Sequence, residues 1–104
     1  MASGILAKSD PTGATETTVY TAPSGKTTSC TISVCNRSTS DASKIRIGLT
    51  DLSVLTANSY IEYEAAIPPT GVLERSAIVL LAGQKIIVRP STSDLSVVVF
   101  GVEE

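Results

Sequence analysis

The sequence predicts an all-β fold, an antiparallel β-sandwich of about eight short strands with either a jelly-roll or an immunoglobulin-like strand order. Three observations carry this expectation. Ser and Thr supply 27 of the 104 residues and, together with Val and Ile, favour pleated strands over helices. Apolar and polar residues alternate with a period of two through several runs. Clusters of Pro, Gly, Ser and Asp punctuate those runs as turns.

The first 16 residues are rich in Ser, Thr, Gly and Asp, with one apolar patch at Ile5-Leu6. They read as an N-terminal arm (1–16) that orders against the core or a partner, ahead of a single sandwich domain (17–104). Thr17-Thr18-Val19-Tyr20-Thr21 is a short strand. It is stopped by Ala22-Pro23-Ser24-Gly25-Lys26, where Pro presets the first turn residue and Gly accepts a positive φ. Residues 27–37 alternate, with Cys30, Ile32 and Val34 facing in and Ser29, Thr31 and Ser33 facing out. Residues 44–50 repeat the pattern with Ile45, Ile47 and Leu49. The stretch between them, Ser38-Thr39-Ser40-Asp41-Ala42-Ser43, is polar and reads as a surface loop.

Residues 51–59 have weak apolar spacing and read as a longer excursion. In residues 60–67 the alternation returns, with Ile61, Tyr63, Ala65 and Ile67 on one face, and Pro68-Pro69-Thr70-Gly71 ends that strand. The stretch from Val72 to Ala82 fits two readings, because Leu73, Ala77 and Leu80 would also line one side of a helix closed by Gly83. Strand is favoured: Ile78 and Val79 are β-branched, and the segment lies between two turn signals. Lys85-Ile86-Ile87-Val88-Arg89 and residues 95–102 are the remaining strands, separated by a loop over 90–94.

Composition narrows function by exclusion. A mass of 10.8 kDa allows one domain, which on folding hides roughly 65% of the surface of the extended chain and needs no metal or disulfide staple. Eight Lys and Arg against ten Asp and Glu give a net charge of -2 and no basic field to hold phosphate, so neither nucleic acid nor an anionic membrane is an expected partner. The longest uninterrupted apolar stretch is residues 77–82, too short for a signal peptide core or a membrane span. Cys30 and Cys35 lie an odd number of residues apart on one strand, on opposite faces and about 16 Å apart, beyond disulfide reach. Two free thiols suit synthesis in a reducing cytoplasm.

No cofactor and no metal are expected. There is no His, the commonest general base and metal ligand, and Asp10, Asp41, Asp51 and Asp94 are isolated from one another. Glu62 and Glu64, two apart on one strand, could form a carboxylate pair for acid-base work, but a solvated strand face explains them without a cleft. Asn36-Arg37-Ser38 matches a glycosylation sequon by chance in a chain this rich in Ser and Thr. Candidate subunit contacts are Ile5 and Leu6 in the arm, Arg37, Arg75 and Arg89 on separate strands or strand ends, and Val98, Phe100 and Val102. The last strand is apolar on both faces, which implies that it is covered on both sides or that its outer face meets another chain.

Several phrases occur in order along the chain: Val19-Tyr20-Thr21-Ala22-Pro23-Ser24-Gly25-Lys26, Val34-Cys35-Asn36-Arg37-Ser38, Tyr60-Ile61-Glu62-Tyr63, Gly71-Val72-Leu73-Glu74-Arg75, Leu81-Ala82-Gly83-Gln84-Lys85 and Val98-Val99-Phe100-Gly101-Val102-Glu103-Glu104. Together they resemble small β-sandwich structural proteins of tailed bacteriophages, particularly phages of cyanobacteria and marine bacteria. The resemblance spans residues 18–104 and includes no catalytic signature. It implies a non-enzymatic virion protein, made in the host cytoplasm and assembled with other virion proteins and with copies of itself. The expected role is capsid decoration, or cement. A tail, neck, baseplate or fibre adaptor is the alternative within that class, and a host-glycan-binding module is the alternative outside it.

Overall fold

A computed structural model describes residues 2–104. Eight strands are present among them: β1 (Ala2–Ser9), β2 (Thr17–Thr21), β3 (Thr28–Asn36), β4 (Ser43–Thr50), β5 (Tyr60–Ile67), β6 (Val72–Leu80), β7 (Lys85–Pro90) and β8 (Leu95–Glu103). They form two four-stranded sheets in the orders β1-β8-β3-β6 and β2-β7-β4-β5, with every pairing antiparallel. This is the expected all-β sandwich, and the strand order is that of the eight-stranded jelly roll. The segment left between strand and helix, 72–80, is strand β6, as its β-branched residues favour. Residues 2–9 of the segment read as an arm form β1, an edge strand paired with β8.

Alternation explains how the sheets meet. Ile32 and Val34 of β3, Ile78 and Leu80 of β6, and Leu95, Val97 and Val99 of β8 point inward from one sheet. Tyr20, Ile45, Ile47, Ile67, Ile86 and Val88 point inward from the other, and all belong to one buried cluster. Each such aliphatic side chain contributes about 1.5–3 kcal/mol when fully buried. Ile87 is also buried but lies outside that cluster, on the opposite side of β7 from Ile86 and Val88. Its cross-strand partner is Gly48, and a Cβ at Gly48 would fall on Leu55 Cδ2 and 3.2 Å from the Ser59 carbonyl oxygen. The 51–59 excursion therefore folds back over the outer face of its sheet, and Gly48 supplies the room. Glu16 Oε1 accepts the Leu55 N–H at 3.1 Å and helps hold that loop.

Tyr20 carries a hydroxyl into the core, beside buried Thr28. The Tyr20 hydroxyl donates to the Glu103 carboxylate and accepts from the Thr28 hydroxyl at 2.8 Å. Burial, reinforced by the bond to Glu103, pushes its pKa from 10.0 up to about 12. The folded chain thus keeps a proton that the unfolded chain gives up from pH 10.0, so stability falls as pH rises from 10 toward 12. Tyr20→Phe is expected to lower stability by about 1–2 kcal/mol at pH 7, since it leaves Thr28 and Glu103 without that partner. It is also expected to remove the tyrosine part of the alkaline loss. Urea unfolding at pH 9 and pH 11 checks this: an equal loss between the two pH values in parent and variant would refute it.

The edges and the middle of the sheets differ in regularity. The inner pairs β3–β8 and β4–β7 run in unbroken register. Each edge strand carries an extra residue against its neighbour, in β1 between Ile5 and Ala7 and in β2 between Thr18 and Tyr20. The other two edges, β5 and β6, slip against β4 and β3 and contain Glu64 (φ 54) and Ala77 (φ 60), non-glycine residues in the left-handed region. Bulges of this kind twist an edge away from a further strand.

Candidate functional site

The expected contact residues separate into distinct surroundings. Leu6 turns inward at the β1 bulge and packs against the core. Arg37 ties loops together at one end of the sandwich. Its Nη2 donates to Asp10 Oδ1 at 2.7 Å and to the Ser93 carbonyl at 2.8 Å, and its Nε donates to the Asp94 carbonyl at 3.1 Å. Beside it, buried Asn36 donates through Nδ2 to the carbonyls of Asp41, Ile67 and Pro68, while its Oδ1 accepts the Ser38 N–H. The sequon asparagine is thus a loop anchor.

Arg75 donates to Glu62 on β5, joining the two sheets across the open side of the sandwich. Arg89 belongs to the other sheet, directly across from Arg46. Arg46 lies over the Tyr63 ring, 4.6 Å from its centroid, and pairs with Glu64 at 2.9 Å. Glu62 and Glu64 are therefore held by separate arginines. Tyr63 does not share the inward face of Ile61 and Ala65, as its spacing had suggested. The β5 bulge turns it out, edge-on to Tyr60, beside an open hollow of about 510 Å³ lined also by Leu55, Thr56 and Ala57.

The remaining four residues come together on the outer face of the β1-β8-β3-β6 sheet. Register places Ile5 beside Phe100 and Thr31, and Ser3 beside Val102, Ser29 and Val79. In the next two rows, Lys8 lies beside Val98, Ser33 and Glu74, and Ser96 beside Cys35 and Val72. Their neighbours in sequence, such as Val97, Val99, Ile32 and Val34, fill the core, so these side chains face away from it. Ile5 is 65% exposed, Val79 60%, Val72 57% and Phe100 38%. Among the described residues, Lys8 and Glu74 are the charged side chains of these rows. The rest are apolar or small, mostly hydroxyls, so the face is suited to close packing.

Sequence reading missed Val72 and Val79. Val79 was legible in principle, since it is out of phase with Ile78 and Leu80, whereas the outward turn of Lys8 depends on the bulge at Leu6.

No family model matches this sequence, and no curated protein matches it. Among solved structures, the chain is similar to two crystal structures of a pentameric capsid protein isolated from metagenomic phage sequences, one of them solved by iodide SAD phasing. The TM-score is 0.44 for each, with 15% and 14% identity over 95% of this chain. The chain spans 63% and 64% of the length of those proteins.

Proposed function

We propose that this chain is a non-enzymatic structural protein of a phage virion, a capsid decoration or cement protein that acts through subunit contacts. The observation that carries the proposal is the outer face of the β1-β8-β3-β6 sheet. It places Ile5, Val72, Val79, Val98, Phe100 and Val102 on one surface with hydroxyl side chains between them. An exposed sheet face on which apolar side chains alternate with small hydroxyls is the kind of surface that marks protein contacts. The phrases that resemble tailed-phage structural proteins support the same reading. The glycan alternative has less support, because the most exposed tyrosine, Tyr63, has the Arg46 guanidinium over its ring.

Copy number per purified virion, measured by quantitative mass spectrometry against the major capsid protein, tests the proposal. Hundreds of copies are expected for a cement protein in a closed symmetric shell. A few to a few tens of copies would move the chain to the tail or neck, and absence from particles would overturn the virion reading.

A further inference from the structure

We infer that the outer face of the β1-β8-β3-β6 sheet binds a second copy of this chain, face to face, about a twofold axis parallel to the strands. This rests on reading that face as a subunit contact, and it names the partner and the geometry. Three observations lead to it.

The first is charge placement. Lys8 and Glu74 stand in one cross-strand row, Lys8–Val98–Ser33–Glu74, at opposite edges of the sheet. A twofold axis along the strands exchanges the two edges and keeps the row. Lys8 of each copy then meets Glu74 of the other, and the interface closes with two opposite-charge pairs on its rim. An axis across the strands through that row would set Lys8 against Lys8 and Glu74 against Glu74. The face is complementary to itself in one orientation, as an isologous contact requires.

The second is what lies at the centre. A strand-parallel axis through the middle of the face passes between β8 and β3, so Phe100 of one copy packs on Thr31 of the other. The flanking pairs are Val102 against Ser29 and Val98 against Ser33. Each larger apolar side chain meets a small hydroxyl residue, an interdigitating arrangement with one aromatic anchor near the middle. At strand rise and spacing, four strands of 8 or 9 residues present about 28 by 19 Å. Two such faces cover about 1,000 Å², the lower bound for a specific interface.

The third is the edges. All four edge strands are bulged, which disfavours assembly by adding strands and leaves the face as the route.

Sedimentation equilibrium of the whole chain tests this, with thermal melts to establish that each variant folds. The parent is expected to be a dimer. Lys8→Glu and Glu74→Lys are each expected to raise the dimer Kd about tenfold, and the double charge swap to restore it to within about threefold. Phe100→Asp is expected to raise Kd at least about a hundredfold with its fold kept. A parent that stays monomeric at about 500 μM, a trimer or pentamer, or a double swap no tighter than the single reversals would overturn the inference. Virion copy number is read separately. A dimer absent from particles keeps the twofold contact and removes the virion role, whereas a monomer abundant in particles does the reverse.

Discussion

Asn36→Asp is expected to destabilise the protein by about 3–5 kcal/mol at pH 7, although it exchanges one side-chain nitrogen for an oxygen of similar size. Asn36 is 1% exposed, and its amide nitrogen faces three carbonyl oxygens, those of Asp41 at 2.9 Å, Ile67 at 3.1 Å and Pro68 at 3.3 Å. A carboxylate there would direct negative charge at three acceptors in a site hidden from bulk solvent. Only the bond accepted from the Ser38 N–H would survive. Since a domain of this size is stable by about 5–15 kcal/mol, the variant would be close to its folding limit. The same reasoning fixes a pH signature. The introduced carboxyl would have a folded pKa above its unfolded value of about 3.9, so the folded variant would bind a proton that the unfolded chain releases. The deficit relative to the parent should shrink as pH falls through that raised folded value. Urea titrations of parent and variant at pH 7 and pH 4.5 check it, and a deficit below about 1 kcal/mol or one independent of pH would contradict it.

Gly101→Ala is expected to cost about 3 kcal/mol and lower the melting temperature by about 10–20 °C, from the addition of one methyl group. Gly101 stands on β8 between Gly4 of β1 and Cys30 of β3. A Cβ at this position would fall 2.7 Å from Cys30 Cα and inside the contact radius of the Ser29 carbonyl oxygen. Both neighbours are backbone of an inner strand, so no side-chain rotation relieves the clash, and β8 must separate from β3. β1 moves with it, because β8 is its one partner in the sheet. Gly83 offers a control, since its turn has open space around the missing side chain, with a φ of 84 as the obstacle. Differential scanning calorimetry decides the matter: a melting temperature within about 3 °C of the parent would show that the ladder absorbs the methyl group.

Strand positions were legible wherever inward residues kept an unbroken period of two, as in β3 and β4, whose inner side chains match the alternation read from Cys30 to Val34 and from Ile45 to Ile47. The period fails where a bulge interrupts it without a glycine to announce it. In β1, Ile5 faces out while Leu6 and Ala7 turn toward the core, so the segment reads as an irregular tail. In β5, Glu64 takes a positive φ and Tyr63 leaves the inward face. The candidate surface was half legible for the same reason. Phe100 and the valines of β8 showed themselves through a strand apolar on both sides. Their neighbours on β1 and β6 depend on a cross-strand register that no single segment encodes. The arginines illustrate a further limit: Arg37 and Arg75 bind groups 27 or more and 13 residues away in sequence, so spacing gave no hint of their partners.

The strand order carries a consequence for synthesis. β1 has one neighbour, β8, and β2 has one neighbour, β7. The two earliest of the eight strands are therefore bound by the two latest, and neither can complete a ladder until β7 and β8 have left the ribosome. The pair joined most directly is β4 with β5, across the 51–59 loop, and the other pairs close over progressively longer stretches of chain. Folding thus zips outward from β4 and β5 and closes last between β1 and β8. Until it does, the nascent chain holds Tyr20, Ile32, Val34, Ile45 and Ile47 without their partners on β7 and β8, a window in which aggregation competes with folding.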